Sequence, residues 1–285
     1  MTVLVSANKV SKSYNGTRAL DNVDLQIEQG RIVGLIGPNG AGKTTLLKAM
    51  LGLTHYEGNL KVLNLDPFRQ RADLMKDVCF VADVAILPRW IKVHEVIDFV
   101  EAVHPKFSRA KANEFLKLTE IKPNKKVKQL SKGMVAQLHL ALVMAIDVSL
   151  LVLDEPTLGL DILYRKSFYE KLLNDYFDEQ RTIIVTTHQV EEIENIITDL
   201  VFIEHGRIVL DKTMEDVASQ YVEVLARPER NGDLEALGPI HKREVFGKSL
   251  YLFENVSHDQ LSQHGELHTP SVADLFVAKM KGAAA

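Results

Sequence analysis

Gly37, Gly42, Lys43 and Thr44 stand in the order G-x-x-x-x-G-K-T within "GLIGPNGAGKTTLLKAMLGL", residues 34–53. Glycines at this spacing let backbone N–H groups turn inward around a phosphate, and the lysine can reach its outer oxygens. The adjacent threonine hydroxyl is a hard-oxygen ligand suited to Mg²⁺. Further along, "SLLVLDEPTLGLD" carries an apolar run, Leu150 to Leu153, into Asp154 and Glu155. Burying neighbouring carboxylates is costly unless a metal or a donor compensates. Beside a phosphate loop, Asp154 can hold Mg²⁺ and its water, and Glu155 can orient an attacking water. A helix cap or a surface contact is the alternative for Glu155. "RTIIVTTH" then ends in His188, at the carboxyl edge where α/β sheets bind ligands.

Such groups need a strand before the loop and a helix after it. "RIVGLIG" is apolar enough for a fully buried strand, and Thr44 to Met50 contains good helix formers and no breaker. The helix N-terminus adds partial positive charge where the phosphates would lie. "LDNVDLQI" alternates, with Leu20, Val23, Leu25 and Ile27 apolar, and predicts a further strand closed by a turn at Gln29-Gly30. In "KVHEVIDFVEAV", Val93, Val96, Ile97, Val100 and Val103 fall on one helical face. "SRAKANEFLKLTE" predicts another helix, followed by the basic loop "KPNKKVKQ", read as a solvated surface. Together they make a helical insertion between the phosphate loop and the rest of a parallel sheet.

Composition narrows the class of protein. The 285 residues suffice for one α/β core and a smaller appendage. With 34 Lys+Arg against 38 Asp+Glu, the net charge of −4 gives no electrostatic reason to expect a nucleic-acid partner. The lone cysteine, Cys79 in the apolar "VCFVAD", excludes an internal disulfide framework and reads as a packed core thiol. The start "MTVLVSANKVSKSY" has no secretory-signal pattern. The longest apolar-rich segment, Met134 to Ile146, is shorter than the roughly 20 residues of a spanning helix and predicts a core helix instead. His258, His264 and His268 do not predict a metal site, because Gly265 interrupts any shared helical face.

In this order the motifs closely resemble the ATP-binding cassette family, in its nucleotide-binding subunit, from about Lys9 to Asp211. Tyr14 stands where that family stacks a ring on adenine. Gly37, Pro38, Asn39, Gly40, Ala41, Gly42, Lys43, Thr44 and Thr45 match its phosphate-binding Walker A loop. Leu150 to Glu155 matches Walker B, "LSKGM" its LSGGQ signature, "LGLD" ending at Asp161 its D-loop, and His188 its switch histidine. The absence of N-K-x-D argues against a GTPase. The resemblance implies an α/β fold: a P-loop NTPase core of the cassette type, with an antiparallel β subdomain and a helical subdomain at about residues 88–146. These make a domain over 1–211, followed by a small α+β appendage over 212–285. "YVEVLARPE" and "SLYLFENV" read as its strands, and "SVADLFVAKMKG" as its terminal helix.

The resemblance further implies ATP and Mg²⁺ as ligands, and catalysis by Lys43, Glu155 and His188, with Thr44 and Asp154 on the metal. Ser131 and Gly133, at the start of a helix running from Lys132 through Ile146, are expected on the γ-phosphate held by a second cassette, in a head-to-tail homodimer or paired-cassette dimer. Five positions depart from the family pattern. Lys132 and Met134 replace a glycine and a glutamine. Asp83 stands at the Q-loop position, usually glutamine, as a shorter candidate ligand for Mg²⁺ or water. Gln137 and Leu142 stand where arginines are frequent. An integral membrane permease, separately encoded and of the export type, is the implied partner, which places the chain peripherally at the cytoplasmic face of a membrane. It would dock near "ADVAILPRWIKVHEV", where Trp90 is the contact candidate. The rival reading is a soluble ATP-driven clamp acting in translation or DNA repair. Such proteins carry two cassettes in one chain or long coiled coils, and this chain has neither.

Overall fold

Two hydrophobic patterns in the sequence build two kinds of sheet. Runs of apolar and β-branched residues become the wholly buried strands β3 (Ile32–Ile36), β6 (Leu150–Asp154) and β7 (Thr182–Thr187). Parallel strands covered on both faces have this composition. With β5 (Val78–Val81), β8 (Asp199–Glu204) and β9 (Arg207–Thr213) they form one sheet in the order β5-β6-β7-β3-β8-β9, in which only β9 is antiparallel. The computed structural model describes residues 2–82, 87–158, 162–227, 231–245 and 247–282.

Register in that sheet brings the chemistry together. Ile36 pairs with Thr187 between β3 and β7, and Asp154 with Thr186 between β6 and β7. The phosphate loop after Ile36, the acids at Asp154 and Glu155, and His188 therefore leave the same carboxyl edge. The helix that follows the loop, α1 (Lys43–Met50), buries Leu46 and Leu47 completely. Each such side chain contributes about 1.5–3 kcal/mol on removal from water.

Alternating segments build the antiparallel layer. β1 (Val3–Tyr14) and β2 (Thr17–Glu28) join through Asn15-Gly16, and β4 (Glu57–Val62) pairs on the other side of β1. Val5, Val10, Leu20, Val23 and Ile27 face one core with Leu46 and Leu47.

The insertion has its own core. α2 (Arg71–Leu74) precedes it; α3 (Val93–Val103), α4 (Arg109–Lys117) and α5 (Lys132–Met144) enclose Val93, Val96, Ile97, Leu116, Leu138 and Leu142. Two expectations need correction. Val103, assigned to the apolar face of α3, is exposed, because the covering core extends only as far as Val100 at the helix's last turn. α5 stops at Met144 rather than Ile146, since the Ala145 carbonyl accepts from Ser108 N at 2.8 Å and Ile146 bridges to Phe107. Among the described residues no helix is long and apolar enough to cross a membrane, and α5 is the core helix its length suggested.

Cys79 is buried in β5, and burial pushes its thiol up to about 12. The thiolate is the reactive form, so the native protein should resist iodoacetamide at pH 8 and react at once in denaturant. Stoichiometric labelling of native protein, seen by mass spectrometry, would contradict this placement.

After α6 (Ile162–Lys171) and the main sheet, the chain continues through α7 (Met214–Gln220) into β10 (Tyr221–Ala226), α8 (Asn231–Ala236), β11 (His241–Val245) and β12 (Lys248–Glu254). It closes with α9 (His258–Ser262), β13 (Gly265–His268) and α10 (Val272–Gly282). The strands form a second antiparallel sheet in the order β11-β12-β10-β13, over Val224, Leu234, Phe253 and Leu261. The expected strands "YVEVLARPE" and "SLYLFENV" are β10 and β12, and the expected helix is α10. That helix reaches beyond its own sheet. Val272, Leu275 and Ala278 enter the core of the parallel sheet, and Phe276 meets Phe202 of β8 edge to face, with ring centroids 5.2 Å apart. His258, His264 and His268 belong to α9, the turn after it and β13, and no metal-binding cluster occurs among the described residues.

Candidate functional site

The phosphate loop is shaped by two glycines with separate jobs. A Cβ on Gly37 would lie 2.3 Å from the Ile203 carbonyl, so the loop can pass β8 only without a side chain. Gly42 adopts φ +113° at the cap of α1, and a Cβ there would meet the Ala19 carbonyl at 2.6 Å. Both conformation and space demand glycine there. Lys43, the first residue of α1, is only 8% exposed and folds back across the loop: Nζ donates to Gly37 O at 2.6 Å and to Pro38 O at 3.3 Å. Burial draws its pKa down, and the carboxylates of Glu155 and Asp154 oppose that shift.

Asp154 is 5% exposed, and hydroxyls take up both its oxygens. Thr44 Oγ1 donates to Oδ2 at 3.2 Å, and Thr186 Oγ1 to Oδ1 at 2.6 Å. Glu155 follows with φ +51°, a left-handed conformation that costs a non-glycine residue about 1–2 kcal/mol. Its backbone N–H is held by Thr186, through the carbonyl at 3.2 Å and Oγ1 at 3.1 Å. The kink turns the Glu155 side chain to His188, whose Nδ1 lies 2.7 Å from Oε2. An ionised carboxylate only accepts, so Nδ1 carries the proton in this contact.

Lys43, Thr44, Asp154, Glu155 and His188 thus converge on one sheet edge. Other sequence candidates stand apart. Tyr14 ends β1, exposed, with its hydroxyl 3.2 Å from Thr54 Oγ1 and the Lys12 ammonium 4.8 Å from its ring centroid. Ser131 caps α5 by accepting from Met134 N at 3.2 Å. Neither Ser131 nor Gly133 lines the groove that contains Gly37, Pro38, Asn39, Glu155 and His188. Asp83 and the stretch from Gly159 to Asp161 lie outside the described residues.

Thr186 is the residue sequence reasoning missed. It holds Asp154 and the Glu155 backbone together, and its only signal was a hydroxyl two places before His188, in a strand that also carries Thr182 and Thr187. A second missed group surrounds Glu192, which accepts from Thr157 Oγ1 at 3.0 Å and pairs with Arg165 of α6, itself in contact with Gln189. It links the chain after Glu155 to the chain after His188.

A glycine loop leading into a helix, a buried aspartate at the end of the next strand but one in the sheet and a histidine-bonded glutamate define a P-loop ATPase. The antiparallel layer and the helical insertion make it one of the cassette type. Comparison with known proteins agrees: the family description "ABC transporter" matches residues 20–158. The Nod factor export ATP-binding protein I of Cupriavidus metallidurans is 30% identical, with 99% of this chain and 98% of that protein aligned. The ABC transporter ATP-binding protein YtrB of Bacillus subtilis is 26% identical over 78% of this chain and 76% of its own length. Among solved structures, the ATP-binding subunit of an ABC transporter superposes with a TM-score of 0.68 at 23% identity, covering 75% of this chain and 91% of that one. The cbiO1 protein of Clostridium perfringens, described as part of an ABC transporter complex, gives 0.65 at 25% identity, covering 76% of this chain and 91% of that one. The chain belongs to the ABC transporter family as an ATP-binding subunit, and its activity is ATP hydrolysis.

Proposed function

We propose that this chain hydrolyses ATP at the described sheet edge to drive export through a separate membrane permease. The observation that carries the chemical part is the pairing of Glu155 with His188, one residue beyond the buried Asp154. The direction of transport is taken from the relatives, several of which are named for Nod factor export. The clamp reading draws no support from them.

In this reading the N–H groups of the loop from Gly37 to Thr45 cradle the phosphates, and Lys43 exchanges its carbonyl partners for the outer oxygens. The Thr44 hydroxyl and the Asp154 carboxylate are a hard-oxygen pair of the kind Mg²⁺ takes alongside phosphate and water. Their 3.2 Å approach and the burial of Asp154 fit such an ion, and Thr186 fixes the carboxylate that would hold it. When bound, the ion supplies charge neutralisation at the phosphates. Glu155 takes the proton as the water oxygen bonds to the γ-phosphorus and the bond to the ADP oxygen breaks. His188 holds the glutamate in the free site and turns to the γ-phosphate in the loaded one. Tyr14 stacks on adenine.

Ser131 and Gly133 complete the site of a second copy across a head-to-tail dimer, which ATP closes and hydrolysis opens. Asp83, outside the described residues, is the further candidate ligand for the metal or the water. Residues 1–211 form the nucleotide-binding domain, and 212–285 an accessory domain. The chain sits at the cytoplasmic face, with Trp90 on the permease; its side chain is 70% exposed, and large exposed aromatics mark interface anchors. Fractionation at native expression levels is the test. The protein should co-purify with a polytopic membrane protein, and Trp90→Ala should weaken that association while ATP binding persists. Recovery of the wild-type chain wholly in the cytosol, or on ribosomes or DNA, overturns the transport reading.

A further inference from the structure

The segment that carries His188 is short and held from two sides. After β7 the chain makes one 3₁₀ turn, Val190–Glu192, and a run of further turns up to β8. Such a segment has few backbone bonds of its own, so its seat depends on what its side chains grip. Val190, Ile193 and Ile197 are buried in the core of the parallel sheet. Two glutamates then reach different neighbours. Glu192 meets Thr157 and Arg165, on the chain that follows Glu155. Glu194 Oε1 accepts from Val272 N, at the start of α10, at 2.9 Å.

The two supports lead to different parts of the site. Glu192 ties the histidine segment to the acid's own stretch of chain, whereas α10 is referenced to the phosphate loop. Phe276 meets Phe202 edge to face, with ring centroids 5.2 Å apart, and Phe202 pairs with Ile36, the residue that enters the loop. Arg243 of β11 pairs with Asp274 at 2.7 Å, and Lys279 with Glu254 of β12 at 2.8 Å, so the second sheet also pins the helix. Gly37, Asn39, His188, Ala273 and Phe276 line one groove of about 600 Å³. Ser271 Oγ accepts from Asp274 N at 3.1 Å and caps α10, which leaves the first N–H of the helix, on Val272, to an acceptor from outside. A carboxylate suits that positive end.

We infer that Glu194 is a positioning residue: through its bond to α10 it fixes where His188 stands relative to the phosphate loop, and with that the rate of hydrolysis. The inference rests on the role in turnover proposed above for His188. It makes the last helix of the chain a spacer for the catalytic pair, anchored on β8 and on the second sheet.

Steady-state ATP hydrolysis and NMR of histidine-labelled full-length protein test it together. The imidazole signal of His188 is the one that His188→Gln removes. In Glu194→Ala that signal should shift and kcat should fall about tenfold, within what a misplaced catalytic group costs. The ATP KM should stay within about twofold, because ground-state binding is untouched. Glu194→Gln keeps the acceptor and should restore both readouts. Val272→Pro breaks the same bond from the other end, since proline lacks the N–H yet suits the first position of a helix. It should reproduce the alanine result. A His188 signal unmoved in both Glu194→Ala and Val272→Pro overturns the positioning role, whatever the turnover. A shifted signal with kcat unchanged leaves the placement standing and overturns the role of His188 in hydrolysis. A glutamine variant as impaired as alanine overturns the hydrogen bond as the cause, and so does a KM that rises as far as kcat falls.

Discussion

Glu155→Gln is expected to cut ATP turnover by about 10²–10⁴-fold, the usual worth of a general base, and to leave ATP affinity unchanged. The substitution is clean for a structural reason. Glu155 sits at φ +51°, anchored by its backbone N–H to Thr186, and neither feature depends on the carboxylate. Gln Oε1 can still accept from His188 Nδ1, so the 2.7 Å contact can persist. What disappears is the ability to take a proton from water. Phosphate release measured against an equilibrium titration of ATP separates the two effects. Near-normal phosphate release would remove Glu155 from the chemistry and return it to the alternative read from sequence, a cap or surface contact. A parallel loss of ATP binding would mean that its charge organises the loop, through the Coulombic influence it has on Lys43.

The parts of this site legible in the sequence are those whose geometry is set locally. A buried strand, a glycine turn and a helix lie in immediate succession, so Gly37, Lys43 and Thr44 need no distant partner to find their places. Asp154 and His188 were legible for a related reason: each ends an apolar run, and parallel strands put their carboxyl ends on one edge. The bond between Glu155 and His188 was not legible. It depends on a left-handed backbone at Glu155, and nothing in "LDEPT" announces one in the absence of glycine or asparagine. Thr186 escaped for lack of a distinguishing residue type, since threonine is at home in any strand. The second domain was half legible. "YVEV" and "SLYLFENV" carry strand composition, whereas β11, "HKREV", is half charged and is a strand only because it pairs with β12. The seat of α10 could not be read at all. Its apolar face has helical spacing, but periodicity does not say which sheet it covers, and the answer was Phe202, some distance back in the chain.

Lys43→Ala should act on binding rather than on the rate of the bound complex. Its ammonium is buried and spends its donors on the carbonyls of Gly37 and Pro38, at 2.6 and 3.3 Å. Those partners are neutral, and burial has already pulled the lysine's pKa down. An incoming phosphate oxygen offers the same donors a full negative charge, so the exchange favours the nucleotide. Hydrogen bonds to charged groups are worth about 1.5–3 kcal/mol, which corresponds to about a 10–100-fold rise in the ATP dissociation constant. Alanine also removes the stem packed under the loop and leaves two carbonyls unpaired, so a lost affinity alone could reflect a slackened loop. Lys43→Met keeps most of the stem and removes only the charge. Both variants should lose affinity by similar factors in a fluorescent-nucleotide titration, with thermal melting lowered more in alanine than in methionine. If methionine instead binds ATP as the wild type does, the lysine's contribution is to shape the loop through Gly37 and Pro38, and the phosphates are held by backbone N–H groups alone.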